Sequence, residues 1–245
     1  MKSSLLEKSF RILDRIASSP APVTLKELAS DLELNASTVS RIASDLAAHN
    51  LIRKAGYHSF VPSTGLIRLG LDALDTPLLR GASALMRERV SELGVNGWLA
   101  GLDAGRSVCL CTCGTGSVER PLPPPWDSPL VAVILGCRDG LEQAERFFAL
   151  SLAERLPRPD RASVRELFLR RCRAASERGF LAEQDPRRGW SVSFPVPAGT
   201  DMYGVSLYGA AAENRSIDRM QFECSRLASR LSSLLNERRQ GRYEV

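Results

Sequence analysis

Val23-Thr24-Leu25-Lys26-Glu27-Leu28-Ala29 and, a few residues on, Leu34-Asn35-Ala36-Ser37-Thr38-Val39-Ser40-Arg41-Ile42 decide how the chain is read. Thr24 can cap the N3 amide of a helix while Glu27 reaches back to the cap and Val23 staples onto Leu28. A helix therefore starts sharply at about Leu25. Its apolar face is Leu25, Leu28, Ala29 and Leu32, and the same i, i+3, i+4, i+7 spacing returns in Val39, Ile42, Ala43 and Leu46. Only Glu33-Leu34-Asn35 separates the two patterns, so two short amphipathic helices must turn sharply, with Leu34 plugging the angle between them. This is helix-turn-helix spacing. Opposite the second apolar stripe lie Ser37, Ser40, Arg41 and Ser44, flanked by Thr38 and Asp45. Short hydroxyls permit close approach to phosphates, and an Arg can fork onto guanine O6 and N7. A solvated face in a small helical bundle would have the same composition, so the flanking sequence has to decide.

Upstream, Leu6, Phe10, Leu13 and Ala17 line one face of a helix from about Ser4 to Ser18, which Ser19-Pro20-Ala21-Pro22 stops. Downstream, Leu51-Ile52-Arg53-Lys54 and His58-Ser59-Phe60-Val61 read as strands joined through Ala55-Gly56-Tyr57, a hairpin where a wing would sit. It carries Arg53, Lys54 and His58, with no acid between Leu51 and Arg68. Basic residues on an edge strand can also simply block edge pairing. The order helix, helix, turn, helix, hairpin favours a winged helix-turn-helix. In that reading Ser37, Thr38, Ser40 and Arg41 meet bases and phosphates, while Lys26, Arg53, Lys54 and His58 hold the DNA backbone. A dimer would place two such helices about 34 Å apart on an inverted-repeat operator of double-stranded DNA.

The 245 residues, 44% apolar and 25% charged, suffice for a buried core in one large domain or two smaller ones, and the formal charge of +5 permits a polyanionic partner. No run of about 18 apolar residues and no secretory apolar segment are present, so a cytoplasmic protein with no membrane partner is expected. Six cysteines are too few for a disulfide scaffold in so long a chain and read as thiols.

The chain resembles the isocitrate lyase regulator (IclR) family of bacterial transcription factors, first through Ser9-Phe10-Arg11-Ile12-Leu13 and the Val23–Ala29 and Leu34–Ile42 stretches. Glu177-Arg178-Gly179-Phe180, Val192-Ser193-Phe194-Pro195-Val196-Pro197 and Gly204-Val205-Ser206-Leu207 are similar to the end of the family's effector domain. The resemblance implies a winged helix-turn-helix over residues 1–64, a linker helix over 65–77 and an effector-binding domain over 78–245. It further implies a GAF-like sheet flanked by helices, with a small effector, often a carboxylate or aromatic metabolite, bound over one sheet face. Where members commonly have a Pro-Leu-His segment leading to Thr-Ala and Gly-Lys-Ala, this chain reads Pro125-Trp126-Asp127-Ser128-Pro129-Leu130-Val131.

The residues of the second half agree with an α+β class. Thr76-Pro77 opens a helix to about Leu93. Val95 to Asp103 and Arg106 to Cys113 form a hairpin, and Gly189 to Ala198 and Met202 to Ala211 are two further strands. Helices are expected over about Ser128 to Leu152, Arg161 to Arg178 and Ser216 to Arg238, the last being core or a subunit contact. For an effector pocket the candidates are Trp98, Trp126 and Trp190 as walls, with Cys111, Ser191, Ser193 and Ser206 near strands. Each Trp could equally fill core.

Cys109, Cys111 and Cys113 alternate along one strand and are expected to share a face. Their spacing suits buried small hydrophobes better than zinc, whose pairs usually sit two residues apart at turns. The alternative is a DNA-binding regulator that senses oxidation through these thiols. An enzyme is not expected: His49 and His58 are the two histidines, both in the first sixty residues, and there is no P-loop, dinucleotide fingerprint or His-Glu-x-x-His. No cofactor or metal is expected. The partners are operator DNA, a small organic effector, and further copies of the chain in a homodimer or a tetramer.

Overall fold

The computed structural model describes residues 4–103, 106–114, 124–149, 160–185, 189–210 and 216–240. The chain divides into two compact units, Met1–Thr76 and Pro77–Val245.

The first unit runs α1 (Leu5–Ala17), β1 (Val23–Thr24), α2 (Leu25–Asp31), α3 (Ala36–Ala48), β2 (Ile52–Gly56), β3 (Ser59–Pro62) and α4 (Thr64–Leu74). The capping box forms as read: the Thr24 amide donates to Glu27 Oε2 at 2.7 Å and the Glu27 amide to Thr24 Oγ1 at 3.2 Å. Those bonds hold the Glu27 carboxyl below the usual carboxylate range. Helix α2 closes when the Leu34 amide donates back to the Ala29 carbonyl at 3.0 Å, which puts Glu33 in the left-handed region at φ 54°. Leu34 is half-buried and packs against the core of this unit, a cluster that includes Ile12, Ile16, Leu28, Val39, Ile42 and Phe60.

Three features differ from the expectation. Helix α1 buries Ile12 and Ile16, while Phe10 stays 64% exposed and Leu6 also faces water. The wing hairpin has a third strand, because β1 pairs antiparallel with β3 through Val23↔Phe60; two residues are too short to show a period in sequence. Ala55 is an extra residue between Lys54↔Phe60 and Gly56↔Ser59, so His58 leaves the strand and sits in the turn at φ 53°. Helix α4 starts against the turn that joins α3 to β2: a Cβ on Gly65 would lie 2.3 Å from the Asn50 carbonyl oxygen, and Ser63 Oγ donates to Asn50 Oδ1 at 2.6 Å. Helix α4, expected as a separate linker, thus belongs to the first unit.

The second unit runs α5 (Pro77–Leu93), β4 (Asn96–Asp103), β5 (Arg106–Cys113), a 3-10 turn (Pro125–Asp127), α6 (Pro129–Arg138), α7 (Gly140–Phe147), α8 (Arg161–Arg178), β6 (Leu181–Asp185), β7 (Gly189–Ala198), β8 (Asp201–Gly209) and α9 (Ile217–Gln240). The strands form one antiparallel sheet in the order β5-β4-β8-β7-β6. Strand β6 was not foreseen, because Leu181-Ala182-Glu183-Gln184-Asp185 has no apolar alternation. The single helix expected over Ser128 to Leu152 is broken at Asp139-Gly140, where Gly140 takes φ 75°; residues 150–152 lie outside the described residues, as does Ala211 of the last expected strand.

Register assigns the two sheet faces. A Cβ on Gly97 would meet Val90 and Met86 of α5, so Gly97, Leu99, Val205, Leu207, Val192 and Trp190 face α5 and α9. A Cβ on Gly204 would meet Leu130 and Ile134, so Ala100, Gly204, Trp98, Ser206 and Ser193 face α6. Helix α6 is buried from Leu130 to Gly136, apolar all round, because the sheet covers one side and α8 the other. Gly136 permits that second contact: a Cβ there would lie 2.4 Å from the Cys172 carbonyl oxygen. Among the described residues no helix is long and apolar enough to cross a membrane.

Candidate functional site

Two groups of side chains stand out, one in each unit. In the first, Ser37, Ser40 and Arg41 lie on the exposed face of α3 with Thr38 half-buried beside them. Lys26 on α2, Arg53 and Lys54 on β2, and His58 in the wing turn are also exposed. Lys26, Arg41, Arg53 and Lys54 have no acidic partner among the described residues. By contrast Arg15 bonds Asp31 at 2.9 Å and Arg11 donates to the Leu32 carbonyl at 3.1 Å. Helices α1 and α2 begin with satisfied caps at Ser4 and Thr24, but Asn35 makes no side-chain cap on α3. The first amides of α3 therefore keep donors for an anion, with the helix dipole favouring negative charge there. Sequence reading missed Tyr57, which stands 91% exposed at the wing tip with its ring 4.0 Å from the ring of His58. An exposed aromatic in a turn leaves no periodic signal.

In the second unit the α6 side of the sheet carries cross-strand rows. Trp98 stands opposite Ser206, which stands opposite Ser193; one step along, Asn96, Tyr208, Ser191 and Glu183 follow one another across β4, β8, β7 and β6. Trp98 and Tyr208 pack ring on ring at 4.4 Å, and the Trp98 indole nitrogen is buried without a hydrogen-bond partner among the described residues. Ser193 Oγ donates to Ser206 Oγ at 3.0 Å, so this buried pair satisfies itself. Beside the outer row, Arg171 of α8 bonds Glu183 Oε1 at 2.7 Å and Asp127 Oδ1 at 3.0 Å. Those carboxylates outweigh desolvation and raise the guanidinium's pKa. Trp126, next to Asp127, is half-buried against the α6–α8 cluster.

Of the effector candidates, then, Trp98, Ser191, Ser193 and Ser206 share the α6 side and Trp126 lies at the α6–α8 cluster. Trp190 and Cys111 are on the opposite face, in the α5–α9 core. Tyr208, Asn96, Glu183, Arg171 and Asp127 join the α6 side without having been singled out. Strand alternation was readable, but which strands pair, and in which register, was not.

The three thiols of β5 do not share a face, correcting the expectation from alternation. Leu99 pairs with Cys111 but Ala100 with Cys109, so Leu110 is an extra residue and the side-chain alternation shifts there. Leu110, Cys111 and Cys113 pack into the α5–α9 core, while Cys109 follows Ala100 to the α6 side. Among the described residues no three His, Cys, Asp or Glu side chains gather as a metal site.

Residues 5–56 match the family model of the IclR helix-turn-helix domain. The helix-turn-helix of the N-terminal unit is thus similar to that of IclR proteins. No curated protein matches the chain. The fold that follows this IclR domain is also shared. A solved IclR family transcriptional regulator from Brucella abortus has 19% identity and a TM-score of 0.74, over 94% of this chain and 92% of that one. An IcIR transcriptional regulator from Alicyclobacillus acidocaldarius has 16% identity and a TM-score of 0.65, over 96% and 100%. An IclR homologue from Microbacterium hydrocarbonoxydans, complexed with 4-hydroxybenzoate, has 17% identity and a TM-score of 0.59, over 95% and 99%. The chain thus has the α+β fold of IclR structures, a helix-turn-helix domain followed by a sheet flanked by helices.

Proposed function

We propose that this protein is a cytoplasmic transcription regulator that binds operator DNA through its IclR domain and tunes that binding by taking up a small organic effector. The observation that carries the DNA half is the α3 face. Ser37, Ser40 and Arg41 stand outward on a helix that Asn35 does not cap, flanked by Lys26, Arg53 and Lys54 without acidic partners among the described residues. Arg41 reads base edges, Thr38 and the serines approach phosphates and bases, and the wing residues with His58 hold the backbone. Binding of the purified protein to DNA upstream of its own gene, with Arg41→Ala as control, tests this. Specific binding lost in the variant supports it, and equal binding to any duplex refutes it.

Exposed apolar side chains support a homodimer on an inverted repeat. Leu5, Leu6 and Phe10 on α1 and Ile67 and Leu71 on α4 are left facing water within one chain, more apolar surface than scattered single exposures explain. Sedimentation of the full chain, with Phe10→Glu and Leu71→Glu, measures that contact.

For the effector half, the α6 side of the sheet supplies the receptor. Trp98, Tyr208 and Trp126 offer flat apolar walls, Ser191 a hydroxyl, and Trp98 Nε1 a buried donor awaiting an acceptor. An aromatic carboxylate, the class of the 4-hydroxybenzoate in the Microbacterium structure, supplies both a ring and an acceptor. Ser193 and Ser206 bond each other and act by holding β7 to β8; Trp190 and Cys111 build the core behind the sheet. The effector shifts operator binding only by its differential affinity for the two states of the dimer. Titration with 4-hydroxybenzoate and related acids, followed by tryptophan fluorescence in the wild type and Trp98→Phe, tests the site. We assign no catalytic step: both histidines lie in the first unit. The redox alternative built on three thiols loses Cys109 to the other face, which leaves a pair.

A further inference from the structure

Tyr57 has no place in the core of the first unit, and the DNA contacts proposed for that unit use the polar and charged residues around it. Tyr57 and His58 form the two-residue tip of the wing hairpin, between the end of β2 at Gly56 and the start of β3 at Ser59. The hairpin is tied to the helix-turn-helix at both ends. At its base the Leu51 amide donates to the Leu46 carbonyl of α3 at 3.0 Å, and the Ser63 amide to the Leu51 carbonyl at 3.0 Å. At its tip the His58 carbonyl accepts from the Leu25 amide at 3.0 Å. Leu25 opens α2, so this amide has no partner inside its own helix and the wing turn supplies one. Strand β1, which leads into α2, adds the pair Thr24↔Ser59. Tyr57 is therefore presented from a fixed frame.

What is presented is an aromatic ring turned almost wholly to water. Tyr57 is 91% exposed, and its ring stands at 69° to that of His58, which takes φ 53°, a conformation that L residues adopt sparingly. The backbone is bent to hold the pair outward, and such bends concentrate where a ligand is met. Arg53 and Lys54 are exposed on the same hairpin, and no acid lies between Leu51 and Arg68. The partner of this tip is therefore an anion that also has room for a ring. We propose that Tyr57 reads the minor groove beside the major groove that α3 occupies, and gives each half-site a preference for A·T pairs there. This rests on the DNA half of the proposed function.

With α3 in the major groove, Arg53 and Lys54 meet the phosphate strand that bounds it, and a tip reaching past them arrives at the next groove. The minor groove is about 6 Å wide and about 7.5 Å deep, which excludes a helix and admits a single ring carried on a tight turn. Its floor shows acceptors alone at A·T pairs, adenine N3 and thymine O2, whereas G·C adds the guanine N2 amino group. The Tyr57 hydroxyl has no hydrogen-bond partner among the described residues and one proton to donate. At A·T that donor meets an acceptor; at G·C the amino group holds the ring off the floor. Tyr57 is neutral, so it adds sequence preference without adding to the salt dependence that the cations set.

The test is fluorescence anisotropy of the full chain on the footprinted segment of DNA upstream of its own gene. The base pairs on either side of the α3 contact are replaced in both half-sites by A·T, G·C or inosine·C. Inosine lacks the N2 amino group, so inosine·C shows the minor groove of A·T and the major groove of G·C. The wild type should bind the A·T and inosine·C duplexes alike and the G·C duplex about tenfold more weakly, from one hydrogen bond in each half-site. Tyr57→Phe should lose most of that preference and Tyr57→Ala all of it. Both should keep the wild-type salt slope, because Arg53 and Lys54 stay in place. Inosine·C behaving like G·C, or a preference that survives Tyr57→Ala, overturns the proposal and leaves the DNA reading standing. A salt slope that falls together with the preference marks a displaced wing and also overturns it. Self-association lost in Tyr57→Ala with the preference intact gives the ring to a second copy instead. A wild type that binds every duplex alike overturns both readings.

Discussion

Raising salt should weaken operator binding by an amount that follows from the surface of the IclR domain. Lys26, Arg53 and Lys54 are exposed, without acidic partners among the described residues, and assigned to phosphates, whereas Arg41 is assigned to base edges. Three phosphate contacts per protomer at about 0.9 each give a slope of log affinity against log salt of about −2.7 per protomer and about −5 for a dimer. Doubling the salt concentration should therefore cost about 40-fold in affinity. Lys54→Ala removes one contact per protomer, so the dimer slope should shrink to about −3.6 and the same doubling should cost about 12-fold. Arg41→Ala should leave the slope nearly alone while losing about 1–3 kcal/mol on the cognate sequence and relaxing preference at one base pair. Fluorescence anisotropy with labelled upstream DNA and a scrambled duplex measures both quantities. A wild-type slope shallower than about −2, or a Lys54→Ala slope equal to the wild type, refutes the assignment of these cations.

Other consequences are directly measurable. Glu33→Gly should stabilise the N-terminal unit by about 1 kcal/mol in urea unfolding, because an L side chain is strained at φ 54° and Gly is not. Gly136→Ala should destabilise the second unit by about 1–3 kcal/mol, since the new methyl meets the Cys172 carbonyl and α8 must shift. Arg171→Ala should cost about 3 kcal/mol, the low end for a broken buried pair, because Asp127 and Glu183 keep 22% and 28% exposure and can partly rehydrate. Restoring the charge balance with Arg171→Met plus Glu183→Gln should recover most of it. Alkylation of Cys111 by iodoacetamide should follow a pH midpoint below the ordinary thiol range, since its anion is the stabilised form; the reaction stays fast as pH falls through neutrality and slows below that shifted midpoint.

What the sequence determined was local. The capping box at Thr24 and Glu27, the two helical stripes around Glu33-Leu34-Asn35 and the hairpin that follows are set by side chains within a few residues of one another, so the helix-turn-helix and its exposed Arg41 face could be read directly. Four strands of the second unit were visible in the same way, as short apolar runs between turn residues. Tertiary structure decided the rest. Ala55 and Leu110 each add one residue to a strand and thereby move His58 into a turn and Cys109 to the other face, a shift that depends on the partner strand's register. Strand β6 exists because β7 offers it an edge, although its own residues show no strand period. Trp98 and Trp190 are alike as residues in strands, and both bury an indole nitrogen without a partner among the described residues, yet one faces α6 beside Tyr208 and the other fills the α5–α9 core. Side-chain alternation has a period of two residues, so each strand carries its pattern in sequence, but which face is which is set only when a neighbouring strand and a covering helix close over it.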